Sequence, residues 1–474
     1  MTKNDNSKKT PLEKKLLFER RFCWEEWDKA KVQKAFAFAD DYRKFLSNSK
    51  TERLVVRNLI TKAEDKGFKQ LENQKAKPGL KVYRANREKN LALAVFGQKP
   101  MGEGIRMIFA HADSPHLGLK ITPLYEEEKV AFLKTHYYGG IKKYQWPATP
   151  LALYGTVVLK NGKKIEIGIG DGEDDPIFII TDLLPHLAKK QLEKKLEEAI
   201  VGEELNVIIG SLPIEDKKPK GRVKLGVLDW LNKKYGLVES DLISADLHVV
   251  PAGQARDLGI DRGLMAGFGH DDRCCCFAAT ESLFEAETPP LYTCVVALLD
   301  KEETGSESNT GAASSFVKDF VAGLLALENP KANENDLRDL FSITKAISAD
   351  VASAIDPDYR DVYDPRNDPR LGAGVVLEKT TGARGRYFGN DASAEYVGWL
   401  RQVFDKKNVI WQPGTIGKID VGGGGTVAIF FARHNIDVID LGPALWNMHA
   451  PWEILSKADL FASFEAYQAF LAAS

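Results

Sequence analysis

The chain has 474 residues, 44% of them hydrophobic and 28% charged, with a formal net charge of -2. This is the profile of a soluble globular protein, long enough for about two or three domains. A chain this close to neutral lacks the basic surface that a nucleic-acid or acidic-membrane partner requires.

The N-terminal stretch Met1–Lys9 is polar and charged, without the apolar segment of a secretory leader. No uninterrupted apolar run approaches the roughly 20 residues needed to span a bilayer. Of five cysteines, Cys274, Cys275 and Cys276 are consecutive. An odd count with adjacent members makes a poor disulfide framework, which points to a reducing cytoplasm.

Residues 12–75 mix charge with apolar positions such as Leu16, Leu17, Phe36 and Phe38, and are predicted helical. From about 91 the pattern changes to short apolar runs of strand length, Leu91–Phe96 and Arg106–Ala110, the second ending directly in His111. The stretch from about 121 to 254 has a different character. There Thr156–Lys160 and Lys163–Ile167 flank Asn161-Gly162, the signature of a hairpin with a type I′ turn. A charged helix near 187–200 and a Lys/Pro/Gly-rich loop at Lys217–Arg222 follow. From about 255 the α/β alternation returns. Thr293–Leu299 is a continuous apolar run, as a central strand requires. A helix over Phe316–Leu327, the Lys345–Ser348 segment leading to Asp350, and a strand at Asp437–Leu441 come next. The last helix is predicted to start at Ser456, with Asp459 as a capping-box-like partner. These elements predict an α/β protein. A mixed-sheet catalytic domain is split into 1–120 and 255–474 by an inserted, smaller mixed α+β domain at 121–254.

Five segments place acidic and imidazole groups just after apolar runs: His111–Ser114, His270–Arg273, Asp300–Gly305, Ser348–Asp350 and Met448-His449. Ligands of open α/β sheets bind beyond the carboxyl ends of the strands, so these groups are expected to converge. Histidine and carboxylate suit zinc, and also tolerate manganese or cobalt. A bridging carboxylate can hold two such ions about 3.5–4 Å apart, where they activate water and polarise a carbonyl. Asp113, two residues after His111, suits the carboxylate that receives a ligand imidazole's other N–H. In Glu302-Glu303 one carboxylate can bind metal while the other takes a proton from water. Singly, each has a plain alternative: a structural histidine, a solvated acidic pair, a helix cap at Asp271-Asp272-Arg273. Together, all at strand ends, they form a pattern. Cys274–Cys276 fits a packing surface better than a thiolate site, because three adjacent side chains cannot all face one ion. Gly422–Gly425 lacks the Gly-Lys-Ser/Thr ending of a phosphate loop and fits a cleft lining.

In combination these segments resemble the aspartyl aminopeptidase family of dinuclear zinc exopeptidases, over residues 85 to 465. His111-Ala112-Asp113-Ser114-Pro115 is similar to that family's His-Thr-Asp-Ser-Pro, and Asp271-Asp272-Arg273 to its Asp-Asp/Asn segment. Asp300–Ser306 is similar to Asp-Asn-Glu-Glu-Val-Gly-Ser, Ser348-Ala349-Asp350 to Ser-Ala-Asp, and Met448-His449 to the closing Met-His. The resemblance implies a zinc-exopeptidase fold, peptide substrates and two divalent metal ions, most often zinc. It implies Asp271 as the bridge, His111 and Asp350 on one metal, Glu303 and His449 on the other, Glu302 as general base, and Asp113 orienting His111. Asp182–Leu187 resembles a segment whose histidine reaches a neighbouring subunit's active site, which makes His186 a substrate-binding candidate in a homo-oligomer, a dodecamer in that family. The segment Tyr138–Trp146 departs from the family pattern. Within Gly374–Lys379, Glu378 falls where acid-preferring members carry a lysine, so basic or neutral N-terminal residues are expected to be favoured over acidic ones. Two other classes compete: another dinuclear amidohydrolase, such as a carboxypeptidase or deacylase, and a non-catalytic scaffold or nucleotide-binding protein. Retention of Glu302 with all five ligand candidates argues against the last.

Overall fold

The apolar runs pair into a nine-stranded mixed sheet, and its four central strands set the position of everything that follows. Thr293–Leu299, Ile105–His111, Lys345–Ser348 and Asp437–Gly442 lie side by side and parallel. Every residue of Thr293–Leu299 and Ile105–His111 is buried, as strands covered on both faces must be. Leu299 pairs with His111 and Ser348 with Phe109. The chain therefore leaves the sheet at one edge three times, and each exit carries a chemical group: His111, then Asp300–Glu303, then Asp350. Antiparallel pairings extend the sheet through Asn90–Val95 and Lys81–Asn86 on one side and Val375–Glu378 on the other, and the short strands Lys69–Gln70 and Trp411–Pro413 pair in parallel at its two edges.

The computed structural model describes residues 10–72, 74–286 and 289–474, so the polar Met1–Lys9 stretch lies outside it. Side-chain alternation along Asn90–Val95 separates two cores. Leu91, Leu93 and Val95 face the helices Lys29–Asn48, Glu52–Asp65, His270–Phe284 and Lys457–Leu471, while Ala92 and Ala94 face Phe316–Glu328 and Glu334–Ser342. The helix His270–Phe284 is buried at every position. Cys274, Cys275 and Cys276 are part of its packed surface, and burial pushes their thiols up, Cys274 to about 12. All three thiols are wholly buried in the apolar core beside Phe277 and Ala278, as packing groups are.

A second, seven-stranded antiparallel sheet is built from residues 116 to 251, with the hairpin His116–Glu127/Val130–Tyr138 in it and its own core. A third sheet of five short strands includes Glu453–Ser456. Among the described residues, no helix is long and apolar enough to cross a membrane.

Four local expectations are corrected. The N-terminal helices stop at Asp65, because Gly67 turns the chain at φ +86° and Lys69–Gln70 then pairs in parallel with Lys81–Asn86. The Asn161-Gly162 hairpin forms, but only Gly162 has a positive φ; Leu159 and Lys163 close a three-residue loop instead of a type I′ turn. The charged helix near 187–200 is reduced to the single turns Lys189–Leu192 and Leu196–Ala199. Leu192 and Leu196 are exposed, so no packed face supports a longer helix. Asp459 does not cap the last helix. Its buried carboxylate accepts the N–H groups of Gly372 and Gly374 at 2.7 and 2.8 Å, tying the helix to the loop before Val375–Glu378.

Candidate metal centre

At the shared exit edge, six of the predicted side chains meet around Asp271, which stands at the start of the buried helix His270–Phe284. Asp271 Oδ1 lies 3.2 Å from His111 Nε2, and Asp350 Oδ1 lies 3.8 Å from the same nitrogen. Asp271 Oδ2 lies 3.2 Å from His449 Nε2, and Glu303 Oε2 lies 3.4 Å from it. One carboxylate thus has each oxygen turned to a separate imidazole–carboxylate pair. Glu302 Oε2 reaches to 4.0 Å of His111 Nε2.

The imidazoles are oriented from behind. His111 Nδ1 is 3.1 Å from the carbonyl oxygen of Asp113, and His449 Nδ1 is 2.8 Å from that of Gly140. A carbonyl oxygen only accepts, so each Nδ1 carries a proton and each Nε2 is the ring nitrogen turned to the cluster. Asp113 does more than flank His111. Its carboxylate accepts the backbone N–H groups of Glu302 and Glu303 at 3.2 and 3.3 Å, and the Tyr138 hydroxyl donates to it at 2.6 Å.

The electrostatics demand a cation. Burial, with the neighbouring Asp350, Asp113 and Asp271, lifts Glu302 to about 8, and burial with Asp271 also raises Glu303 and Asp350. Burial opposes charge on His111, yet the carboxylates of Asp113, Asp271 and Asp350 outweigh it and raise its pKa; His449 rises to about 10 through Asp271 and Glu303. Asp271 Oδ1 and Glu303 Oε1 are buried without a hydrogen-bond partner. Lone pairs facing one another at 3.2 Å need a positive charge between them, either a proton or a metal ion. Nitrogen and carboxylate donors of this kind suit zinc, and ligand atoms of His111, Asp271 and Glu303 lie within 4.8 Å of one another. Asp272 is also within reach of His111 and Asp350, but its Oδ2 accepts the His111 N–H at 3.2 Å.

Residues 45–471 match the family profile described as Aminopeptidase I zinc metalloprotease (M18). The chain belongs to the M18 family of zinc aminopeptidases. It is 44% identical over 461 residues to a probable M18 family aminopeptidase 1 of Clostridium acetobutylicum, covering 96% of this chain and 99% of that one. The crystal structure of the M18 aminopeptidase of Thermotoga maritima is similar at a TM-score of 0.92, with 43% identity over 96% of this chain and 99% of that chain. The S. cerevisiae mApe1 dodecamer shares the fold at 20% identity and a TM-score of 0.72, over 91% of this chain and 95% of that one. The protein is therefore a metal-dependent aminopeptidase with the expected α/β zinc-exopeptidase fold. The carboxypeptidase, deacylase and scaffold alternatives fall away.

His186 does not join this aminopeptidase's cluster within one chain. It is exposed on the turn Pro185–Leu187 of the 116–251 segment. Residues outside the expected set join instead. Glu453 is 1% exposed; its Oε2 accepts the Asp271 N–H at 3.0 Å and its Oε1 the His449 N–H at 2.7 Å. The Ser114 hydroxyl donates to the Asp271 carbonyl at 2.5 Å. Glu453 follows His449 by four positions, and that proximity is the only sequence signal it gives. Gly423, Gly424 and Gly425 line the adjoining cavity of about 230 Å³, as a cleft lining would.

Proposed function

We propose that this aminopeptidase hydrolyses the first peptide bond of its substrates with two divalent ions, most often zinc, bridged by Asp271. His111 and Asp350 would hold one ion, and Glu303 and His449 the other. The observation that carries this reading is the division of the Asp271 oxygens between two imidazole–carboxylate pairs. Manganese or cobalt suits the same donors. When bound, the ions act as Lewis acids on the scissile carbonyl and supply the charge that the carboxylates lack. Glu302 is the general base: it takes a proton from the attacking water and returns it to the leaving amine. Asp113 fixes the tautomer of His111 and, through the N–H groups of Glu302 and Glu303, the pose of both carboxylates. Tyr138 and Glu453 hold Asp113, Asp271 and His449 in place.

Peptides scored separately for N- and C-terminal release test the chemistry. Release from the N-terminus alone is expected, lost with a chelator and restored by zinc, with two ions bound per chain. Full activity with one ion per chain overturns the bridged pair.

The same reading assigns 1–120 and 255–474 to the catalytic domain and 121–254 to an inserted domain that mediates assembly. The chain would work in the cytoplasm as a homo-oligomer, a dodecamer like the yeast relative. Leu183, Leu184 and Leu187, all more than half exposed around His186, support burial of this turn against a neighbour. There His186 would contact substrate in the neighbour's site. His186→Ala is expected to cut activity without changing metal content. Mixed oligomers of His186→Ala and Glu302→Gln chains, each inactive alone, should regain activity. No recovery in verified mixed oligomers overturns action across subunits.

A further inference from the structure

A column of rings stands behind Tyr138, the residue whose hydroxyl donates to Asp113. His116 and Tyr138 face each other in register at the end of their hairpin, and their rings stack at 4.5 Å and 20°. The His116 ring also stacks with His248, on the neighbouring strand Ala245–Pro251, at 3.8 Å and 18°. Both histidines are buried, at 6% and 8% exposure. His116 Nδ1 donates to the Ser114 carbonyl oxygen at 2.8 Å, and burial with His248 alongside holds this imidazole well below its usual range. The middle ring is therefore neutral and fixed at one edge. His248 turns Nδ1 to Glu52 Oε2 at 3.6 Å and Nε2 to Asp246 Oδ1 at 3.5 Å. Lys89 ties those two carboxylates together, 3.0 Å from Glu52 Oε1 and 2.7 Å from Asp246 Oδ2. Glu52 opens the helix Glu52–Asp65, which packs on the nine-stranded sheet. The column thus runs from that helix, across the seam between the two sheets, to Asp113 and the N–H groups of Glu302 and Glu303.

We propose that His116 and His248 are positioning residues for the general base: their stack fixes the Tyr138 ring and, through its hydroxyl, Asp113 and the Glu302 amide. A tyrosine side chain turns about two bonds. A swing of about 1 Å would break the 2.6 Å bond to Asp113. Two buried imidazoles beside an ion pair are a costly way to fill a seam that leucine or phenylalanine could close, because each polar edge needs its own partner. Those edges are directed, toward Ser114 on one ring and toward Glu52 and Asp246 on the other, and so they set the planes of the rings as apolar side chains could not. The inference rests on the roles given above to Glu302 and Asp113. The rival is Lys301, whose Nζ lies 4.7 Å from the centre of the Tyr138 ring. If Lys301 holds that ring unaided, the stack is packing only.

Turnover at saturating zinc, read beside metal content, separates these. His116→Ala should lower kcat roughly 10–100-fold with little change in KM, the range typical of groups that orient metal ligands. His116→Phe keeps a ring in the stack and should recover most of the loss. Tyr138→Phe should cost about as much as His116→Ala, and the double variant no more than either alone, because both break one chain of contacts. Should His116→Ala not fold, His248→Gln removes a stacked ring while keeping a polar side chain toward Glu52, and enters the same comparison with Tyr138→Phe. Wild-type kcat in folded His116→Ala, no recovery in folded His116→Phe, or losses that multiply in the double variant overturn the stack. Full turnover by metal-loaded Glu302→Gln overturns instead the base reading beneath it.

Discussion

Glu302→Gln is expected to bind metal like the wild type and to lose nearly all turnover. The amide matches the carboxylate in shape but cannot accept a proton from water, and loss of general-base catalysis typically costs about 10²–10⁴-fold. The geometry makes this a clean substitution. The N–H of Glu302 is held by Asp113, and that bond belongs to the backbone. Its side chain stands 4.0 Å from His111 Nε2, farther than either Asp271 or Asp350. The measurement is kcat beside metal content on the same preparation. A metal-loaded variant with wild-type kcat removes Glu302 from the base role.

Asp271→Ala is expected to lose both ions together and, with them, all activity. One carboxylate faces His111 with one oxygen and His449 with the other, each at 3.2 Å, so its removal takes a ligand from both positions at once. The N–H of residue 271 keeps its bond to Glu453, so the local backbone should hold. Metal analysis after dialysis reads the result. One fully occupied position would show that another carboxylate makes the bridge, with Asp272 the nearest alternative.

The cluster was legible where the sequence couples residue type to strand ends. Ile105–His111 and Thr293–Leu299 are continuous apolar runs, and the chemical groups follow them without a gap. Four of the six converging residues, His111, Glu302, Glu303 and Asp350, belong to such exits and one to the Asp271 turn, while His449 follows the short strand Ala444–Trp446 of the third sheet. What could not be read is whatever works through the backbone. Glu453 holds two N–H groups, and Asp459 two more, in bonds that any residue's amide could make. Neither acidic residue differs in sequence from a solvated one. Turn detail failed for a related reason: Asn161-Gly162 signals a tight hairpin, but register across Val158 and Lys164 decides how many residues the loop holds. The 187–200 stretch has helix-forming residues without a packed face, and composition alone does not show that missing partner.

The hairpin His116–Glu127/Val130–Tyr138 belongs to the seven-stranded sheet, yet its end supports the metal centre through Tyr138 to Asp113 and through the Gly140 carbonyl to His449. Ion affinity and the position of that sheet are therefore thermodynamically linked. A neighbouring chain that held the sheet in this pose would tighten ion binding by some factor. By reciprocity, ion binding would strengthen that neighbour's hold by the same factor.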